Sequence, residues 1–215
     1  MKRGTMVRLG CLVVLAALVV GGTASAAPIA LVGAQYGDLG VTGAASALTD
    51  NPYDYNHTFT GQVLSRSYTL DDGQYLYLYQ VRNAGPSSLE VFGVAPFFGL
   101  DLDVVGAAGY LTAGEPAEFL GGGKTPAGGA YDDTLTSPLV TFGYPGFMGV
   151  QVPAGSWTKV LYLISPYGPT TGEAYVIDGG VAVTPVTVPL PEPAALSLMA
   201  AGLVLGAVGR MRRRR

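Results

Sequence analysis

A single cysteine, Cys11, is all the thiol this chain carries, and it lies close to the N-terminus. The body beyond it can form neither a disulfide framework nor a thiolate metal site. Histidine is as scarce: His57 stands alone, too few nitrogen ligands for a zinc site of the usual kind. No Gly-x-Ser-x-Gly segment supplies a nucleophile for His57 and the neighbouring Asp54 to serve. His57 is therefore read as a surface strand residue. Basic side chains are thin as well. Between residues 27 and 190, Arg66, Arg82, Lys124 and Lys159 face fourteen carboxylates, a net charge of −10. Such a body is a poor partner for nucleic acid or for an anionic membrane surface.

The carboxylates come partly in pairs, Asp71-Asp72, Asp101/Asp103 and Asp132-Asp133. None has the ligand spacing of a calcium loop, so they read as turn residues and solvated strand ends. Gly123-Lys124-Thr125 lies in a glycine-rich loop, Gly121–Ala130. It lacks both the upstream glycine and the following helix of a phosphate loop, which excludes nucleotide binding of that type. No metal, no cofactor and no catalytic residue is expected, and the chain is not read as an enzyme. Asn56-His57-Thr58 matches a glycosylation sequon.

What the chain has in quantity is glycine (32), proline (15) and tyrosine (13). Every tyrosine lies in the body, which favours strands and turns over helices. Asp71-Asp72-Gly73 separates Ser67–Leu70 from Gln74–Arg82, a tight-turn signature between two strands. In the second of these, Tyr75, Tyr77, Tyr79 and Val81 share one face and Leu76 and Leu78 the other. Apolar residues on both faces predict a central strand covered on both sides. Further strands are expected at His57–Gln62, Leu89–Ala95, Phe97–Gly106, Leu139–Phe142, Phe147–Val152 and Trp157–Ile164. Glu173–Val183 reads as a strand or pair broken at Asp178-Gly179-Gly180. Asp50-Asn51-Pro52 and Pro153-Ala154-Gly155 read as turns. The fold class is all-β, a single jelly-roll-like β-sandwich over residues 27–183. Ala27–Thr49 is expected to be a leader with one edge strand at most, and 184–189 a proline-bearing linker. Tyr75, Tyr77 and Tyr79 are candidate sugar contacts, since aromatic faces stack on sugars, although packing is the commoner use of such residues.

The two ends carry the strongest signals. Lys2, Arg3 and Arg8 precede an apolar run, Cys11–Val20, followed by Thr23-Ala24-Ser25-Ala26-Ala27. This is the pattern of a secretory signal peptide over residues 1–26, cut between Ala26 and Ala27, with Ala24 and Ala26 as the small residues of the cleavage site. Cys11 stands at the front of the apolar run, whereas a lipidated cysteine follows it. At the other end, Pro191-Glu192-Pro193 precedes sixteen uncharged residues, Ala194–Gly209, and then Arg210, Arg212, Arg213, Arg214 and Arg215. As a helix that run spans about 24 Å. This is a little short of a bilayer core of about 30 Å, a gap that snorkelling arginines and a thinner bilayer accommodate. Basic residues beside an apolar segment stay cytoplasmic. Both ends then place the body on the far side of the membrane.

The tripeptide, the apolar span and the terminal arginine cluster, in that order over residues 190–215, resemble the PEP-CTERM sorting signal of exported bacterial proteins. The resemblance implies that Pro191, Glu192 and Pro193 are recognised by an exosortase, a membrane-embedded protease that cuts near them. It implies an inner-membrane-anchored precursor passed on to the cell surface or extracellular matrix. The expected role is structural, in a matrix built with exopolysaccharide, which is itself an expected partner. The alternatives are a carbohydrate-binding module of that matrix and a secreted hydrolase.

Overall fold

The structure, a computed structural model, describes residues 26–133 and 137–191, and of Phe147 the backbone alone. The expected signal peptide up to Ser25 and the expected membrane helix lie outside the described residues. Among the described residues no helix is long and apolar enough to cross a membrane.

The described chain is all-β. Its strands are β1 (Ala27–Ile29), β2 (Val32–Gln35), β3 (Val41–Ala44), β4 (Thr49–Tyr55), β5 (Phe59–Leu70), β6 (Tyr75–Asn83) and β7 (Val91–Ala95). There follow β8 (Ala108–Ala113), β9 (Gly128–Asp132), β10 (Leu139–Gly143), β11 (Leu161–Ser165), β12 (Pro169–Ile177) and β13 (Val181–Pro189). They form two sheets. Sheet I has the order β1-β9-β10-β7-β12-β13 and is antiparallel throughout. Sheet II has the order β2-β8-β11-β6-β5-β3, with β4 pairing the first half of β5 on the edge whose second half takes β3.

The sheets stack because each presents an apolar face every second residue. From sheet II, Tyr77, Tyr79, Val81, Leu161 and Leu163 meet Phe92, Val94, Val140, Phe142 and Val176 of sheet I in one buried core. Phe92 lies 6.3 Å from Phe142 and 6.0 Å from Tyr79, centroid to centroid. The expected double coverage of β6 is present. Leu76 and Leu78 face outward into a second cluster with Leu64, Val160 and Tyr162, capped by Phe119. Buried Gln80 holds that cap. Its amide donates to the Leu120 carbonyl at 2.8 Å, and its Oε1 accepts the Leu120 N–H at 2.9 Å. The hairpin at Asp71-Asp72-Gly73 is also as expected: Gly73 sits at φ +84°, where a side chain is strained, and Asp72 accepts the Gln74 N–H at 2.9 Å.

Several expectations are corrected. Ala27–Thr49 is not a leader; it contributes three short strands and the start of β4. The Asp50-Asn51-Pro52 turn lies inside β4, which tolerates proline because it is an edge strand with a ladder on one side only. His57 is not a strand residue. It lies in the β4–β5 turn at φ +59°, its backbone N–H bonded to Asp54 at 2.7 Å. Phe97–Gly106 is a loop rather than a strand, and Phe147–Val152 opens in a 3-10 turn, Gly146–Met148, and pairs only at Val152, in a single bridge to Leu89. The 184–189 linker is the second half of β13, with Val186 and Val188 in the core; its prolines again sit on an edge strand. The end of the glycine-rich loop, residues 128–130, belongs to strand β9, and β8 has no strand signal in the sequence.

β13 is tied to the opposite layer. The Thr187 N–H donates to Ser65 Oγ at 2.8 Å, and the Thr187 carbonyl accepts the Tyr79 hydroxyl at 2.7 Å. Tyr79→Phe leaves that carbonyl buried without its partner. We expect a loss of about 1–3 kcal/mol in urea unfolding with an unchanged m-value; an unchanged midpoint would show the bond to be unimportant.

Candidate functional site

One end of the sandwich carries a cleft of about 450 Å³ among β4, β5, the end of β6 and the segment 155–157. Its floor is bare because Gly61 has no side chain. A Cβ there would fall 2.0 Å from the Arg82 carbonyl and 2.5 Å from the Tyr53 hydroxyl. Tyr53 is buried beneath, and its hydroxyl donates to the Arg82 carbonyl at 3.4 Å. Burial, with the negative charge of Asp178 adding to it, pushes the Tyr53 pKa up, so this hydroxyl stays protonated.

The walls carry the chemistry. Arg82 is exposed, and its Nη1 donates to Gln62 Oε1 at 3.3 Å. No carboxylate among the described residues forms an ion pair with it; the two pairs there are His57–Asp54 and Arg66–Glu118. Trp157, the only tryptophan of the chain, bridges to Arg82 across an isolated antiparallel pair and is half-buried. Its Nε1 donates to the Gly121 carbonyl at 3.2 Å, which fixes the ring. A planar guanidinium beside a fixed indole can stack on a sugar ring and fork to a carboxylate or hydroxyl. Sequence reasoning missed this site. The signal was available in Trp157 and in Arg82, one of only four cations in the body, but they stand 75 positions apart in the chain.

The tyrosines expected to contact sugar do not form a platform. Tyr77 and Tyr79 are fully buried and donate their hydroxyls to the Tyr167 and Thr187 carbonyls. Alternation on a central strand points them into the core between the sheets, not to solvent. Tyr75 alone is half-exposed, and lines a different groove with Tyr167, Leu190 and Pro191. Of the residues expected to form the sorting signal, Pro191 lies just beyond β13, separated from it by Leu190. Glu192, Pro193 and Arg210, Arg212, Arg213, Arg214 and Arg215 lie outside the described residues, as does Ala24. Ala26 precedes β1, and Ala27 is its first residue.

His57 projects from its turn with its side chain 91 % exposed and its Nδ1 2.7 Å from Asp54. Asp101 accepts the Asp103 N–H at 2.9 Å, a turn role like that of Asp72. Among the described residues no group of three or more histidine, cysteine, aspartate or glutamate side chains is placed to hold a metal ion.

A second electrostatic locus lies on the outer face of sheet II. Glu118 accepts from the Arg66 guanidinium at 2.7 Å and from the Tyr68 hydroxyl. Arg66 also stands over the Tyr68 ring, 5.5 Å from its centroid. Burial opposes ionisation of Glu118, but the hydrogen bonds from Tyr68, its own backbone and Arg66 outweigh it and hold the carboxyl below its ordinary value of 4.5. A shallow groove lined by Tyr36, Thr42 and Tyr68 runs alongside. These bonds fasten the capping loop to β5, which is a structural duty.

No family model, no curated protein and no solved structure matches this chain.

The Glu118 carboxylate stabilises the fold above its unfolded value of about 4.5, and that contribution disappears as pH falls through the lower folded value. Glu118→Gln should therefore cost about 1–3 kcal/mol at pH 7, with the gap from wild type closing in acid. Denaturant melts at pH 7 and below pH 4 check this; a gap independent of pH would refute it.

Proposed function

We propose that this chain is an exported structural protein of a bacterial cell surface or extracellular matrix, sorted through its C-terminal tail and cut near Pro191-Glu192-Pro193 by an exosortase-like membrane protease. The observation that carries the reading is the ordered tail, Pro-Glu-Pro, uncharged run and arginine cluster, paired with a secretory pattern at the N-terminus. The fold is compatible with it. β13 ends at Pro189 and Leu190 is still bonded to Gly168, so Pro191 stands at the edge of the folded domain as the tail begins. The strongly acidic body suits a soluble extracytoplasmic domain. We assign the sandwich to the jelly-roll-like kind because successive strands from β6 to β12 switch sheets, apart from the β9–β10 hairpin.

Intact mass of the protein recovered from its native host tests the reading. We expect a species beginning at Ala27 and ending within residues 191–193, in the medium or on the outer surface. A full-length chain confined to the inner membrane would overturn processing.

The Arg82–Trp157 cleft favours a second reading, a carbohydrate-binding module. Its ligand would be an oligosaccharide bearing carboxylates, stacked on Trp157 and forked by Arg82. Trp157 is its own reporter. Titration with uronate oligosaccharides should change its emission saturably, and Arg82→Ala should weaken binding by about ten-fold or more. A flat titration of the wild-type chain removes this reading and leaves the structural one standing.

A further inference from the structure

The chain enters and leaves the sandwich at the same end. Ala27, the first residue of β1, pairs with Tyr131 near the end of β9. The antiparallel ladders from β9 through β10, β7 and β12 carry that direction across sheet I to Pro189 at the end of β13. There the Leu190 N–H donates to the Gly168 carbonyl at 3.2 Å. Only Glu192 and Pro193 then separate Pro191 from the uncharged run at Ala194. Fully extended, that connection spans about 11 Å.

This end also exposes apolar side chains. Val105 is 85 % exposed at the tip of the loop between β7 and β8, flanked by exposed Leu102 and Val104. Tyr167 and Leu190, also exposed, lie at the same end. The loop's base packs on Tyr167: a Cβ on Gly99 would lie 2.8 Å from the Tyr167 ring. Pro166 lines both the groove under Leu102 and Val104 and the neighbouring groove with Tyr75, Tyr167, Leu190 and Pro191. Asp101, Asp103 and Asp133 line the first groove, and none of the four basic side chains of the body lines either.

We propose that this end is a membrane seat: Leu102, Val104, Val105 and Tyr167 rest in the headgroup boundary of a zwitterionic bilayer, at the point where the chain leaves for its tail. The inference rests on the reading of 194–209 as membrane-inserted. A connection of about 11 Å then holds the domain's exit end at headgroup distance, where a few apolar side chains gain by leaving water. The aspartates set the lipid class, because an anionic surface would repel them.

The test uses the full chain in phosphatidylcholine vesicles containing brominated lipid. Trp157 lies at the far end, so the wild-type emission is the baseline. The emission added by Val105→Trp should be quenched at least about two-fold. That added by Met148→Trp, exposed at the far end beyond β10, should be unaffected. Replacing part of the lipid with phosphatidylglycerol should reduce quenching at position 105. If the chain floats with the vesicles but positions 105 and 148 are quenched alike, the seat is refuted while tail insertion stands. If the chain does not float, both fall. A concentration-dependent blue shift at position 105 without lipid quenching would assign the patch to a second copy of the chain and refute the seat.

Discussion

Thr187 is held from the layer opposite its own. Its N–H reaches Ser65 and its carbonyl takes the Tyr79 hydroxyl. Neighbouring residues extend the seam: Asn51 donates to the Pro185 carbonyl at 2.8 Å, and Thr184 donates to the Pro52 carbonyl at 2.9 Å. Such bonds contribute about 1 kcal/mol each when made. Left unmade in a buried place they cost more, because the polar groups have already lost their water. The seam therefore sets the spacing of the sheets along one edge, and the core between them is packed to that spacing. It also determines where the chain leaves the domain, since β13 runs straight from the seam to Leu190.

Antiparallel topology divides the molecule into two unlike ends. One receives the chain at Ala27, releases it at Pro191 and carries the exposed loop around Val105. The other carries the β4–β5 and β12–β13 turns and the cleft of Arg82 and Trp157. A domain tethered at its first end would present its second end outward, so an anchored precursor and an accessible cleft are compatible in one molecule. The Arg66–Glu118–Tyr68 group serves neither end. It clamps the loop that covers the outer face of β6, and this coverage lets one strand be apolar on both sides.

The hairpin at Asp71-Asp72-Gly73 and the doubly covered strand after it were legible because their signals are local. A turn that requires positive φ needs glycine, and a strand buried on both faces needs apolar residues at successive positions. The β12–β13 hairpin was legible for the same reason at Asp178-Gly179-Gly180. The edge strands were not. β4 and β13 contain Pro52 and Pro185, which locally argue for turn and linker; only a partner on one side leaves the proline's missing N–H without consequence. β1 to β3 are three or four residues long, too short for a periodic pattern to stand out.

By itself the sequence determined the all-β class, the acidic character of the body, the central position of β6 and the two terminal patterns on which the export reading rests. These depend on composition and on neighbours within a few residues. The tertiary structure decided that Tyr77 and Tyr79 are core rather than surface, because strand alternation does not say which face is inside until a second sheet is packed against it. It also decided that Arg82 and Trp157 share a cleft and that Ala27 and Pro191 share an end. Those juxtapositions come from strand order, and strand order is a choice among long-range pairings that no local stretch of this chain encodes.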